Sequence, residues 1–341
     1  MSRSFSARQL LFPLIPLYRL ALAFRAMRLR TGLEPIRHLR RPVVSIGNLS
    51  TGGAGKTPLT ITLAKALQQR GLRVDVLSRG YGRQSQLATR VNPEGTAEKF
   101  GDEPLLIARE TGVPVYVAPQ RYDAGVLAEA DGSPAGQDSQ PPDVHLLDDG
   151  FQHRQLARTV EILLVNQHDW HDWLLPAGNL REPFSAARRA SVIVIPADEP
   201  ELEAELRTWG WQEPVWRLRR ATGIPTVSGP VAAFCGIARP EQFFQSLEVA
   251  GRPTVARFSF PDHFTYTRAV LEELLSKARA AGATALVTTE KDRVRMGELV
   301  SVFPEYMPLV TARLRVEIED QAAAIDWLIE RLVSSSTCPP M

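Results

Sequence analysis

Between residues 47 and 58 the chain reads Gly47-Asn48-Leu49-Ser50-Thr51-Gly52-Gly53-Ala54-Gly55-Lys56-Thr57-Pro58. An apolar, β-branched run, 41–47, leads into this stretch. The segment 59–70 that follows it has apolar residues at helical spacing and is closed by Gly71. A strand, a glycine-rich loop and a helix in this order form the context that a phosphate-binding loop requires. The stretch therefore predicts a parallel α/β sheet that binds a nucleotide at the end of a strand.

The loop contains the residue types that phosphate binding needs. Glycines allow backbone N–H groups to turn toward phosphate oxygens, and the start of the following helix adds a partial positive charge. The strict pattern has glycine six residues before the lysine, where this chain has Ser50. The alternative is a glycine-rich turn that only caps a helix. We predict that the nucleotide contacts Asn48, Ser50, Thr51, Gly52, Gly53, Ala54, Gly55, Lys56 and Thr57, and that the Thr57 hydroxyl also ligates Mg²⁺.

The same alternation of strands and helices continues along the chain. The first half has further strand patterns at 72–77, 114–118 and 143–147. The second half has strand patterns at 231–235, 254–259 and 285–288, with helical patterns at 239–250 and 268–281. The pattern predicts an α/β fold, with a P-loop-containing NTPase-like domain of parallel sheet and a second, smaller α/β domain.

Composition divides the chain further. The Gly/Pro-punctuated stretch 223–230 is typical of a connection between domains. We predict a basic, apolar segment at 1–40, the nucleotide-binding domain at 41–222 and the smaller domain at 223–315. The C-terminal helix and tail at 316–341 are expected to return to the first domain. The stretch 131–142, rich in small and polar residues, is interpreted as a surface excursion.

The N-terminal segment differs in charge from the rest of the chain. Residues 1–41 contain nine arginines and one acid, whereas the remaining residues contain 31 basic and 37 acidic side chains. An acidic body argues against general nucleic-acid binding. The two cysteines, Cys235 and Cys338, have no metal-ligand spacing, and their number is typical of a reducing cytosol.

The apolar run 9–28 has four possible roles. Arg19 and Arg25 interrupt it, and Pro13 and Pro16 disturb its first half, which disfavours a spanning helix. A secretory signal is also disfavoured, since an arginine lies inside the apolar core and an ATP site follows closely. An interfacial helix, with apolar residues in the lipid boundary and arginines at anionic headgroups, fits better. The remaining alternative is a basic helix packed on the protein itself.

Acidic and imidazole side chains occur where predicted strands end or helices begin. Asp148 and Asp149 follow an apolar strand, the place of a metal-side carboxylate in a phosphate-loop enzyme; they could also be exposed turn acids. Asp102 is either the N-cap of a helix or a base that accepts a hydroxyl proton. His263 precedes a helix, where a structural role is the alternative, and 289–292 follows a strand at the ligand edge of the sheet.

Taken together, the motifs resemble the tetraacyldisaccharide 4′-kinase family of the lipid A pathway. The resemblance runs in one order from the N-terminal segment to about residue 295. It rests on Gly47-Asn48 with Gly52-Gly-Ala-Gly-Lys-Thr-Pro58, Ser78-Arg-Gly-Tyr-Gly82, Gly101-Asp-Glu-Pro104, Asp148-Asp-Gly-Phe-Gln-His153, Leu175-Pro-Ala-Gly178 with Leu180-Arg-Glu-Pro183, Phe260-Pro-Asp-His263 and Thr289-Glu-Lys-Asp292.

The resemblance implies a reaction and roles for residues. The γ-phosphoryl group of ATP is expected to pass, with Mg²⁺, to the 4′-hydroxyl of an acylated glucosamine disaccharide 1-phosphate, giving lipid IV-A. Asp102 is expected to be the base, paired with His263 from the second domain, and Lys56 stabilises the transferred group. The expected metal-side residues are Thr57, Asp148, Asp149 and Glu182. The lipid acceptor implies a peripheral or monotopic protein at the cytoplasmic face of the inner membrane, with no obligate protein partner.

Two other functions use the same loop. One is an ATPase switch of the partitioning or metallochaperone type, in which ATP drives dimer switching; such loops often carry an extra lysine, and the matching positions here are Gly52 and Gly53. The other is a membrane-recruited adaptor regulated by nucleotide. Transfer of labelled phosphate to the disaccharide lipid separates all three.

Overall fold

The computed structural model describes residues 7–53, 55–131, 141–225, 227–304 and 306–336. Its strands are β1 (Val43–Asn48), β2 (Val74–Ser78), β3 (Thr89–Arg90), β4 (Val115–Val117), β5 (Val144–Asp148), β6 (Val160–Leu164), β7 (Val192–Pro196), β8 (Val215–Gly223), β9 (Val231–Cys235), β10 (Thr254–Ser259), β11 (Ala285–Thr289) and β12 (Leu309–Ile318). Its α-helices are α1 (Ile15–Arg30), α2 (Lys56–Gln69), α3 (Ala97–Phe100), α4 (Asp102–Thr111), α5 (Arg121–Asp131), α6 (Gln167–Trp170), α7 (Pro200–Thr208), α8 (Pro240–Val249), α9 (Arg268–Ala280), α10 (Glu290–Met296) and α11 (Gln321–Ser336). Short 3₁₀ helices lie at Ala7–Leu14, Phe184–Arg189 and Gly297–Val302.

The strands form one mixed sheet of twelve in the order β10-β9-β11-β12-β8-β7-β6-β1-β5-β2-β4-β3. Two of the strand pairs are antiparallel, β8 with β12 and β3 with β4. The other pairs are parallel, as expected for strands joined through helices. The predicted α/β class with a largely parallel sheet is confirmed.

The pair β8 and β12 joins the two halves of the chain. The two strands pair over six residues, from Arg313 opposite Gly223 to Ile318 opposite Leu218. The first part of β12 pairs instead with β11, in parallel. β12 therefore passes across the predicted boundary between residues 315 and 316 and makes one sheet of both halves. The division into domains stays a prediction.

The centre of the sheet brings the phosphate loop beside the acidic pair. β1 lies between β5 and β6, and Ile46 of β1 is opposite Asp148 of β5. Both strands are buried throughout and run in the same direction, so their carboxyl ends meet at one edge. This edge carries the loop 49–55 and both acids.

The C-terminal helix packs onto the first half. Ile325, Leu328 and Leu332 belong to the main apolar core together with residues of β1, α2 and β5. Trp327 also meets Trp216 of β8 edge to face, with 5.7 Å between ring centroids. Because aromatic pairs and buried leucines contribute most when fully packed, α11 is a structural part of the nucleotide-binding half.

Helix α1 lies on the surface of the first half. Ile15, Tyr18 and Leu22 pack against the apolar cluster beside the phosphate loop. The Tyr18 hydroxyl donates to the carbonyl of Arg181 at 2.9 Å, and Arg25 donates to the carbonyl of Gln152 at 2.8 Å. One face of the helix is thus fixed to the protein within reach of the candidate site.

If α11 is part of the core, shortening Leu328 should destabilise the fold. The Leu328 side chain is fully buried, whereas Val333 on the same helix is 60% exposed. Leu328→Ala should lower the free energy of unfolding by about 2–5 kcal/mol, because it leaves a cavity. Val333→Ala, the control, should change it by less than about 0.5 kcal/mol. Urea denaturation followed by circular dichroism measures both, and equal effects would mean that α11 is not docked.

Candidate active site

The phosphate loop has the backbone conformation that glycine permits. Gly55 is the N-cap of α2 and has φ 92°, and Gly52 has φ 101°. In this left-handed region a side chain would be strained, so glycine is required at both positions. Helix α2 then begins at Lys56, three residues earlier than the sequence predicted, because the lysine itself takes helical geometry. The N-terminus of α2 therefore points its free N–H groups into the loop.

Lys56 is held at the mouth of the loop by two side chains. Its Nζ atom donates to Oδ1 of Asn48 at 3.0 Å and lies 3.6 Å from Oδ1 of Asp149. Asn48 also donates from Nδ2 to the Ser50 hydroxyl at 3.1 Å and accepts from Nη2 of Arg181 at 2.6 Å. Thus one buried amide orients the lysine, the loop serine and an arginine.

The two adjacent acids have opposite environments. Asp148 is fully buried and accepts from the Thr60 hydroxyl at 3.0 Å. Burial, and then the charges of Glu103 and Asp149, raise the pKa of Asp148 to about 7. Burial alone would raise the pKa of Asp149 as well, but Lys56 and Arg181 outweigh it and hold that pKa below its usual range. The backbone of Asp149 also has φ 49°, an uncommon and strained conformation for a residue other than glycine.

These donors fit a magnesium ion bound together with a triphosphate. Mg²⁺ takes one or two carboxylates, a hydroxyl and phosphate oxygens, and it does not need an all-protein cage. Asp148 has no cationic partner in direct contact among the described residues, so a cation there would relieve the repulsion between neighbouring carboxylates. Within the described ranges, no group of three or more His, Cys, Asp and Glu side chains forms a closed metal site.

Glu182 has a different partner. Its carboxylate pairs with Arg189 at 2.9 and 3.2 Å, which neutralises it. A metal role for Glu182 stays a prediction, and it would require this pair to open.

Asp102 and His263 meet across the two halves. Oδ2 of Asp102, at the start of α4, lies 3.2 Å from Nδ1 of His263 in the loop between β10 and α9. The hydrogen bond to Asp102 raises the pKa of His263. Tyr81 stacks at a tilt on the imidazole, with 5.0 Å between centroids. His263 has φ 58°, so it is the second strained side-chain residue, and like Asp149 it lies at the candidate site.

The interpretation of Asp102 as an N-cap is wrong. The cap position belongs to Gly101, with φ 89°, and Asp102 is the first residue of α4. Its Oδ1 accepts from the N–H of the next residue, Glu103, at 3.0 Å, which leaves Oδ2 for His263.

Several arginines near the loop were not predicted as site residues. Arg181 pairs with Asp149 at 3.1 Å. Arg121 is nearly buried, and burial lowers its pKa to about 10 although Asp148 and Asp149 are close enough to oppose this. A Cβ at Gly55 would lie 3.2 Å from Arg220, and one at Gly52 would lie 3.7 Å from Arg239. Arg121 begins α5, Arg220 lies within β8, and Arg181 and Arg239 lie in loops. Because the four are distant in sequence, no local motif identifies them, except that Arg181 belongs to Leu180-Arg-Glu-Pro183.

Two predicted features lie outside the described residues. Ala54 of the loop is one of them, and most of the predicted surface excursion, 132–140, is the other.

The whole chain resembles one protein family. The family described as tetraacyldisaccharide-1-P 4′-kinase matches residues 7–333. The chain belongs to this family. A tetraacyldisaccharide 4′-kinase of Koribacter versatilis is 40% identical over 329 residues, which cover 93% of this chain and 97% of the relative. One of Pelobacter propionicus is 37% identical and covers 96% of this chain and 94% of its own length.

A solved structure has the same fold. The crystal structure of LpxK from Aquifex aeolicus in complex with ATP matches with a TM-score of 0.74 at 32% identity, over 96% of this chain and all of that chain. The recognition of the family from sequence is confirmed.

The buried carboxyl of Asp148 should make stability depend on pH. The pKa of Asp148 is raised to about 7 from 3.8. The stabilisation that this group adds to the free energy of unfolding is therefore complete below pH 3.8 and is lost as pH rises through about 7. Asp148→Asn should therefore be more stable than the wild type at about pH 8, and this advantage should shrink at about pH 5. Urea denaturation in EDTA without nucleotide measures it. If Asp148→Asn is more stable than the wild type by the same amount at both pH values, the raised pKa is contradicted.

Proposed function

We propose that this chain transfers the γ-phosphoryl group of ATP to the 4′-hydroxyl of tetraacyldisaccharide 1-phosphate. The observation that carries the proposal is the contact between Asp102 and His263, brought from two halves of the chain to the edge of the sheet that holds Lys56. Membership of a 4′-kinase family identifies the acceptor class. A carboxylate–imidazole pair beside a phosphate loop has the chemistry of a phosphoryl transferase, whereas nucleotide binding alone does not require such a pair.

The loop and its arginines would bind the triphosphate of ATP. The N–H groups at the start of α2 and the ammonium group of Lys56 face the phosphate oxygens, and Arg121 and Arg181 add positive charge beside them. Since charge on the transferred group spreads over its oxygens in the transition state, preorganised cations at this place lower the barrier. Mg²⁺ would be held by Thr57 and Asp148, with Asp149 nearby, and would neutralise phosphate charge when bound.

The pair of Asp102 and His263 would take the proton from the acceptor hydroxyl. Asp102 is buried, and the side chain of His263 is 34% exposed, so the pair reaches from the interior to the surface that a substrate can approach. Glu103, next to Asp102, acts electrostatically on Asp148, which supports the dyad and the phosphate side as one site.

Thin-layer analysis of labelled phosphate in the disaccharide lipid tests the function. Asp102→Ala should lower turnover by about 10²–10⁴-fold, the usual contribution of a general base, while affinity for Mg-ATP stays near the wild-type value. Lys56→Ala should lose product formation, whereas Lys65→Ala, an exposed lysine on the same helix, should keep it. Hydrolysis of ATP with no labelled lipid would favour the ATPase switch, and nucleotide binding without either product would favour the adaptor.

We also propose that α1 holds the enzyme at the membrane surface. Opposite its docked face, α1 exposes large apolar residues at helical spacing, namely Leu17, Leu20, Phe24 and Met27, and Leu10 and Leu14 are exposed in the 3₁₀ helix before it. Arg19, Arg28 and Arg30 are exposed on the same helix, where anionic headgroups would attract them. Among the described residues, Leu10–Arg30 is also long and apolar enough to span a bilayer, by length and composition only.

The contacts of α1 with the body favour the interfacial arrangement. Spanning would place the hydrogen bonds of Tyr18 and Arg25 to the protein inside lipid or break them. An interfacial helix keeps both and brings the candidate site close to a lipid acceptor. The cytoplasmic face of the inner membrane is the location that supplies ATP.

Vesicle binding tests the role of this face. Leu17→Glu with Leu20→Glu should lower the fraction bound to phosphatidylglycerol and phosphatidylethanolamine vesicles by at least about tenfold, since two exposed leucines that would enter the lipid are replaced by charges. Val249→Glu, at another exposed apolar residue, is the control and should bind as the wild type. Sedimentation with vesicles measures both. Equal binding of the double variant and the control would refute the proposal that the exposed face of α1 binds the membrane.

A further inference from the structure

Arg295 of α10 reaches across the two halves to the carboxylate of Asp102. Its Nε and Nη2 atoms lie 2.7 and 2.6 Å from Oδ2 of Asp102. The side chains of both residues are almost fully buried, at 6% and 3% exposed. A guanidinium group that is buried against one carboxylate makes a strong, directional contact.

The other contacts of Arg295 fix it in place. Its Nη1 donates to Oδ1 of Asp292 at 3.2 Å and to the carbonyl of Gly236. Asp292 is itself held by the Tyr266 hydroxyl at 2.9 Å and by the N–H of Gly236 at 3.0 Å. The guanidinium therefore cannot turn away without breaking a buried network.

Arg295 and His263 share the same oxygen of Asp102. Nδ1 of His263 lies 3.2 Å from this oxygen, and Nη2 of Arg295 lies 3.5 Å from the imidazole nitrogen. The other carboxylate oxygen is occupied by the N–H of Glu103. The arginine thus determines which way the carboxylate faces.

We propose that Arg295 is a positioning residue for the Asp102–His263 pair: it aims the carboxylate at the imidazole and supplies the positive charge that opposes protonation of the pair. This rests on the proposed kinase function, in which the pair accepts the proton of the acceptor hydroxyl. Arg295 acts through Asp102 and does not contact the acceptor.

The other charged groups around the pair are less well placed for this role than Arg295. The groups that face the pair are Lys291 and Arg295 from α10, Asp262 from the loop of His263, Glu103 from α4, and Asp292 behind the arginine. Lys291 is paired with Glu103, which offsets most of its charge. Arg295 is consequently the cation in direct contact with the Asp102 carboxylate, while Asp292 balances its far side.

The electrostatics give the sign of the effect. Burial would raise the pKa of Asp102, but the hydrogen bond from His263 and the charge of Arg295 outweigh it and lower the pKa. The same charge opposes the rise in the pKa of His263. Removing Arg295 therefore raises both pKa values, and the pair loses its proton only at a higher pH.

A pH profile of kcat/KM with the disaccharide lipid and saturating Mg-ATP tests the proposal. Arg295→Gln should move the acidic limb to higher pH by about 1–3 units, the usual effect of losing an adjacent opposite charge. Arg293→Gln, an exposed arginine on the same helix, should leave the limb in place. Arg295→Lys keeps the charge but cannot reproduce both nitrogen contacts with Asp102. It should therefore leave the pH of the acidic limb unchanged and lower kcat by about tenfold, with the KM for ATP unchanged.

Each outcome decides one claim. An active Arg295→Gln enzyme whose limb coincides with that of Arg293→Gln overturns the electrostatic role, even if its rate is lower at every pH. If circular dichroism shows that Arg295→Gln does not fold, Arg295→Met provides the same comparison. A wild-type kcat in Arg295→Lys overturns the positioning role, and this test needs neither of the two neutral variants. Wild-type enzyme that labels no lipid refutes the kinase function instead, so the two failures are distinct.

Discussion

The candidate site depends on the antiparallel pairing of β8 with β12. Six residue pairs of backbone hydrogen bonding join the sheet of the nucleotide-binding half to that of the second half, and the long β12 then continues beside β11. The loop carrying His263 and the helix carrying Arg295 come from the second half, whereas Asp102 begins a helix of the first. Because one sheet runs through both, these groups meet at fixed distances, and the site does not depend on a mobile linker to assemble.

Most charged side chains at this site have an oppositely charged partner. Lys56 and Arg181 stand against Asp149, Arg295 against Asp102, and Lys291 against Glu103. Breaking one member of a buried pair is costly because the other charge is left in a low dielectric. Asp148 is the exception, since Thr60 is its hydrogen-bond partner and its pKa is raised to about 7. An exception of this kind is expected where a bound cation completes the site.

Backbone strain marks the same region. Among the described residues that carry a side chain, Asp149 and His263 have positive φ, and one lies beside the phosphate loop and the other beside the proposed base. Such conformations persist only where surrounding contacts enforce them, as the ion pairs of Asp149 and the Asp102 contact of His263 do. Stability given up at these positions is recovered in the apolar core, in which β1, β5 and α11 pack tightly.

The sequence by itself determined the phosphate loop, the strands 254–259 and 285–289 to within a residue, the parallel α/β class and the family, because these depend on local periodicity, glycine geometry and motif order. It did not predict β6 and β7, whose short apolar runs have no distinctive period, or the strand pair β8 and β12, whose partners are about 100 residues apart. The family motifs already predicted the pair of Asp102 and His263. Only the tertiary structure decided that Arg295 contacts the same carboxylate, that Glu182 faces Arg189, and that four separate arginines surround the loop. Those contacts are set by strand order and helix packing between distant segments, which no local pattern encodes.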